Sequence, residues 1–156
     1  MSQLFARNLV KGKIAETIFA QMLRDTQQFT VLEFGYEKIV PELVQQGYSE
    51  SNGLVETLRT APDFAVINKV KREVRLVEVK YRKKHLKEDI LSIAQRMHET
   101  WNPSCLFLAT QEGFYFDEVA KIVKRGGEIR PLRHPFIPEE TQRRYLQLLI
   151  DFEANN

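Results

Sequence analysis

Asp63, Glu78 and Lys80 are the residues of this chain whose types and spacing point to chemistry. Asp63 stands in Ala61-Pro62-Asp63-Phe64-Ala65-Val66-Ile67, and Glu78 and Lys80 in Arg75-Leu76-Val77-Glu78-Val79-Lys80-Tyr81. Both stretches read as strands, joined by a hairpin turn centred between Val70 and Lys71. Side chains on a strand alternate between faces, so Asp63, Ala65 and Ile67 share one face, and Glu78 and Lys80 share one face. This register pairs Ile67 with Val74, Ala65 with Leu76, and Asp63 with Glu78. The first two pairs are apolar on apolar, which supports the register. The third sets two carboxylates opposite each other, with Cβ atoms roughly 4.5–5.5 Å apart, and like charges so placed repel. A cation between them relieves the repulsion, and a hard divalent ion with oxygen ligands suits two carboxylates.

The elements that must hold these residues follow from periodicity. Asn8 to Arg24 reads as a helix, because Ile14, Ala15, Ile18, Phe19, Met22 and Leu23 cover one half of a helical wheel. Glu16 falls at the edge of that stripe, a common place for a solvent-facing acid. Phe29 to Tyr36 reads as a strand rich in β-branched and aromatic residues. From Glu37 to Thr60 the pattern is broken by Pro41, Gly47, Ser49, Ser51, Asn52 and Gly53, with one short helix around Glu42 to Gln46. The second hairpin strand is apolar on both faces near its centre, as in a central strand of a covered sheet. His85 to Thr100 reads as a crossover helix, with Leu86, Ile90, Ile93, Ala94, Met97 and Trp101 in one stripe. Ser104 to Thr110 is an apolar run of strand length, so strand, helix and strand make a parallel pair. Phe116 to Arg125 reads as a helix stopped by Gly126-Gly127, and Glu128 to Leu132 as an edge strand. Pro138 opens a final helix with Glu139 and Glu140 in its first turn, packed through Tyr145, Leu146, Leu149 and Phe152.

A chain of 156 residues suits a single domain and can bury roughly 70% of its unfolded surface. Hydrophobic residues make up 43% and charged residues 28%, the balance of a soluble globular protein. The formal net charge of +2 argues neither for nor against nucleic acid. One cysteine, Cys105, excludes an internal disulfide framework and fits a reducing, cytoplasmic setting. No run approaches the ~18 apolar residues of a membrane span, so no membrane partner is expected. Charge is uneven, however. Between Lys69 and Lys87 nine Lys or Arg, including Lys69, Lys71, Arg72, Arg82, Lys83 and Lys84, face only Glu73 and Glu78. A basic rim around an acidic centre is what a phosphodiester needs, because the rim attracts phosphates and the centre holds metal. A solvated hairpin tip and a charged strand end would have the same composition. His85, His98 and His134 lack zinc-site spacing, Cys105 sits in an apolar run, and no Walker-type or dinucleotide glycine motif occurs.

Pro62-Asp63, a gap, and Glu78-Val79-Lys80 resemble the motif of the PD-(D/E)XK nuclease superfamily, which includes restriction enzymes, RecB-type nucleases and archaeal Holliday junction resolvases. The predicted order helix, strand, hairpin, helix, strand over residues 10–110 is similar to its αβββαβ core, here followed by a C-terminal helical extension over residues 111–156. The resemblance implies an α/β fold with a central mixed sheet flanked by helices. It implies a metal-dependent endonuclease acting on DNA, with branched DNA as one substrate class, and Mg²⁺ or Mn²⁺ as cofactor. Asp63 and Glu78 would ligate the metal with the backbone carbonyl of Val79 close by. Gly12-Lys13-Ile14-Ala15-Glu16 looks like the element through which the first helix adds a Glu, so Glu16 would orient a water. Lys80 would position the attacking water and stabilise developing charge. RecB-type relatives often carry a Gln followed four positions later by a Tyr on the crossover helix. Here Gln95 is followed by Glu99, and Gln95 lies opposite the apolar stripe, which leaves it a weak site candidate. Many relatives are homodimers. Three other readings use the same residues: a nucleic-acid-binding or assembly domain without turnover, an RNA endonuclease, and a surface salt-bridge cluster on an unrelated α/β protein. Phosphate contacts do not separate RNA from DNA. Intact Asp63, Glu78 and Lys80 argue against a dead enzyme.

Overall fold

A computed structural model describes residues 3–35, 57 and 60–154. The chain runs α1 (Gln3–Asp25), β1 (Phe29–Glu33), β2 (Phe64–Asn68), β3 (Glu73–Tyr81), α2 (Lys87–Thr100), β4 (Cys105–Ala109), β5 (Phe114–Glu118), α3 (Val119–Lys124) and α4 (Glu139–Ala154). The five strands form one sheet in sequence order. β1, β2 and β3 are antiparallel neighbours, β4 is parallel to β3 across the α2 crossover, and β5 returns antiparallel. This is an α/β architecture with a mixed open sheet flanked by helices.

Two apolar clusters cover the two faces. On one, Ala15, Phe19 and Met22 of α1 and Tyr145 and Leu149 of α4 pack on Val66, Val77, Val79 and Phe107. On the other, Ile90, Ile93, Ala94 and Met97 of α2 and Val119 and Ile122 of α3 pack on Leu106 and Leu108. All five residues of β4 are therefore buried, as expected of a strand covered on both sides. Cys105 is buried and unpaired. No helix among the described residues is long and apolar enough to cross a membrane.

Phe116 to Glu118 are not helical: they belong to β5, and only Val119–Lys124 form α3. A tight turn decides this. Thr110 Oγ1 accepts hydrogen bonds from the Glu112 and Gly113 N–H groups, and Thr110 N–H donates to the Gly113 carbonyl at 3.0 Å. The chain reverses there and pairs along β4. The stop at Gly126-Gly127 does occur, with both residues at positive φ. Glu128 to Leu132 form no regular strand. The segment follows β5 through Phe116 N–H to the Arg130 carbonyl, Leu132 N–H to the Phe114 carbonyl, and a single bridge at Pro131. Pro131 has no N–H to extend a ladder. β1 ends at Glu33, because the next two N–H groups turn to another partner, and β2 starts at Phe64, after Pro62-Asp63. Val74 is exposed, so β3 is covered on both faces only in its second half. Phe152 also remains 42% exposed at the end of α4. The short helix expected around Glu42 to Gln46, and Tyr36, lie outside the described residues.

Candidate metal centre

The hairpin register is the one its sequence implies: Ile67 faces Val74 and Ala65 faces Leu76. Continuing that ladder by one step from Phe64 and Val77 puts Asp63 opposite Glu78. Asp63 is held there from two sides. Its carbonyl accepts hydrogen bonds from Phe34 N–H at 2.9 Å and Gly35 N–H at 3.3 Å, where β1 has just ended. Its Oδ2 accepts from Val79 N–H at 2.8 Å. Pro62, fully buried, precedes it without an N–H to satisfy.

The Val79 N–H points toward β2 at the point where β2 has not yet begun, and the Asp63 carboxyl takes the place of the missing strand. N–H and C=O of one strand residue point the same way, so the Val79 carbonyl is directed to the Asp63 side as well. Glu78 and Lys80 stand in register with Leu106 and Leu108, on the face covered by α2. The Lys80 ammonium lies 3.9 Å from Glu78 Oε2. Glu16 comes from α1, on the other side of the sheet, and its carboxyl reaches Asp63. Glu16 also has Lys13 Nζ at 3.7 Å. Asp63, Glu78, Val79, Lys80 and Glu16 are thus brought together.

Burial, followed by the hydrogen bond and repulsion from Glu78, pushes the Asp63 carboxyl up to about 8, against the smaller opposing pulls of Val79 N–H and Glu16. Below that pH and without a cation, Asp63 holds a proton and donates it to Glu78. Two acid groups in contact, one kept neutral by its surroundings, form a site that favours an added positive charge. Among the described residues, no three or more His, Cys, Asp or Glu are gathered as a preformed metal cage. Mg²⁺ does not require one, since it is commonly held by one or two carboxylates with the remaining positions taken by water. Two carboxylates and a backbone carbonyl, all hard oxygen donors, fit that requirement.

The basic residues do not form one rim. Glu73 and Glu78 are five residue steps apart on β3, about 17 Å along the strand. Lys69, Lys71 and Arg72 sit at or beyond the Glu73 end, at the hairpin tip, away from the carboxylates. Arg82, Lys83, Lys84 and Lys87 follow β3 at the carboxylate end. Arg82 is committed to structure: its Nε is 2.6 Å from Asp89 Oδ2 and its guanidinium donates to the Tyr81 carbonyl. Lys83 and Lys84 are exposed. Gln95 is exposed on the side of α2 that faces away from the sheet.

By periodicity alone Trp101 belongs to the apolar stripe that continues α2. In the fold it supports the loop that leads to Asp63. Its Nε1 donates to the Thr57 carbonyl at 3.2 Å and to Thr60 Oγ1 at 3.1 Å, and its ring meets Phe34 edge-on. A lone Trp at a helix end, with an N–H that needs a partner, was the available signal. No protein-family model matches the chain, and no curated protein matches it in sequence.

Proposed function

We propose that the chain is a divalent-metal-dependent endonuclease of the PD-(D/E)XK type acting on DNA. The observation that carries this reading is the contact of the Asp63 and Glu78 carboxyls at the start of β2, with the Val79 N–H on Asp63 Oδ2 and Lys80 one pair further on. The chain order α1, β1, β2, β3, α2, β4 supports it, being the order of that superfamily's core.

Asp63, Glu78 and the Val79 carbonyl hold the cation, Mg²⁺ or Mn²⁺. When bound, such an ion supplies Lewis-acid polarisation of the phosphoryl oxygens. Glu16 accepts a hydrogen bond from the attacking water and fixes its direction. Lys80, its ammonium 3.9 Å from Glu78 Oε2, holds that water and stabilises the negative charge that develops on the phosphoryl oxygens. Lys83 and Lys84 take neighbouring phosphates at the same end of the sheet.

The test is cleavage of a labelled panel (linear duplex, single strand, flap, four-way junction and RNA) with Mg²⁺, Mn²⁺ or EDTA, beside Asp63→Ala. Metal-dependent cutting that disappears in the variant is the expected result, and the panel identifies the substrate, branched DNA or RNA included. Metal-dependent cutting that survives in Asp63→Ala would sink the assignment. Binding at low salt with no cutting by the wild type would favour a nucleic-acid-binding module without turnover.

A further inference from the structure

At the hairpin-tip end, on the α1 side of the sheet, a cleft of about 260 Å³ opens into the core. Its floor is apolar and includes Phe19, Leu23, Val66, Val77, Phe107 and Leu132. Protein interiors leave few voids of this size, and an open apolar floor favours an occupant. The volume lies just under the roughly 300 Å³ at which drug-sized ligand sites begin, so the occupant is small.

Charge on the rim sets its sign. The acids there are already matched: Glu118 lies 3.0 Å from Arg75 and 3.2 Å from Lys121, Glu73 3.7 Å from Arg75, and Asp117 2.5 Å from Arg125. Lys71 and Arg133 line the same cleft and have no ion-pair partner among the described residues. His134 registers the resulting field. Burial, then Lys71 and Arg75, hold its imidazole below the usual range, so it is neutral at pH 7. Its Nδ1 accepts a hydrogen bond from Phe136 N–H at 3.1 Å, which leaves the proton on Nε2 as a donor. An apolar floor beneath two unmatched cations and a neutral N–H donor complements a negative head on an apolar body.

We propose that this cleft binds a small amphipathic carboxylate, with an apolar part about the size of one aromatic ring or a branched acyl chain, held by Lys71 and Arg133. The site is at the far end of β3 from Asp63 and Glu78, and it does not depend on the nuclease reading.

The experiment is a titration of the ¹⁵N-labelled full chain with phenylacetate, 4-methylpentanoate, phenylacetamide and acetate, followed by NMR. Phenylacetate or 4-methylpentanoate is expected to shift the amides of Leu132 to His134 and of the hairpin tip saturably, with Kd on the order of 1 mM or tighter. Phenylacetamide, which lacks the charge, and acetate, which lacks the apolar body, are expected to bind at least about tenfold more weakly. The double variant Lys71→Glu, Arg133→Glu alters two exposed side chains, so the fold is retained, and it is expected to weaken carboxylate binding about tenfold. Three results each overturn the proposal: failure of both carboxylates to saturate, equal binding of phenylacetamide, or unchanged affinity in the double variant.

Discussion

Replacing Asp63 by Asn removes one charge and leaves the shape of the site almost unchanged. The Asn carbonyl still accepts from Val79 N–H, and its amide donates to Glu78 as the protonated Asp63 does in the wild type. The two proteins should therefore differ chiefly in how stability depends on pH. Asp63 is raised from 3.8 to about 8 in the folded protein. A carboxyl raised on folding contributes stability that is fully present below its unfolded value and lost as pH climbs to the folded value. The window is thus pH 4 to 8, with a slope of about 1.4 kcal/mol per pH unit. Over that window the metal-free wild type should lose up to about 5 kcal/mol relative to Asp63→Asn, an upper limit because Asp63 is only partly shielded from water. Urea denaturation followed by Trp101 fluorescence in EDTA, at unit steps from pH 5 to 9, measures the difference. Mg²⁺ adds a second arm. It must displace the proton, so it should stabilise the wild type more at pH 8 than at pH 6, and it should do nothing for the variant. Parallel pH profiles for the two proteins in EDTA would refute the argument that a proton bridges Asp63 and Glu78.

Lys80→Ala should keep the stabilisation by Mg²⁺ and reduce the cleavage rate by about a hundredfold or more; an unchanged rate removes Lys80 from the chemistry. Reversing charge at the carboxylate end with Lys83→Glu and Lys84→Glu should weaken DNA binding for all sequences alike. It should also lower the slope of log K against log salt by roughly two, and an unchanged slope would show that these lysines touch no phosphate. Gly127→Ala tests the packing of α3 on α2. Gly127 has φ +104°, and a Cβ there would lie 2.2 Å from the Lys87 carbonyl oxygen. The variant should lose at least about 2 kcal/mol by chemical denaturation. Gly126→Ala, with open space around it, should lose only about 1 kcal/mol, and equal losses would mean that the contact with Lys87 is not decisive.

What the sequence determined by itself is local. Period 3.6 located α1 and α2, period 2 fixed the hairpin register, and that register alone put Asp63 opposite Glu78. The apolar run of β4 showed its burial on both faces because every residue in it is apolar. What only the tertiary structure decided depends on partners distant in the chain. Phe114–Glu118 is a strand because β4 offers it an edge, although Phe116 to Arg125 reads from the sequence as one helix. Asp63 is pinned by Phe34 and Gly35 from the end of β1, which no pattern around Asp63 announces. The basic residues are continuous in sequence but divided in space, because an extended strand carries its ends apart at roughly 3.3 Å per residue. The cleft at the hairpin tip is assembled from α1, the hairpin, β4, β5 and the segment around Leu132. Periodicity reports which side of an element meets the core. It does not report which other element stands there, and both the clamp on Asp63 and the cleft are properties of that choice.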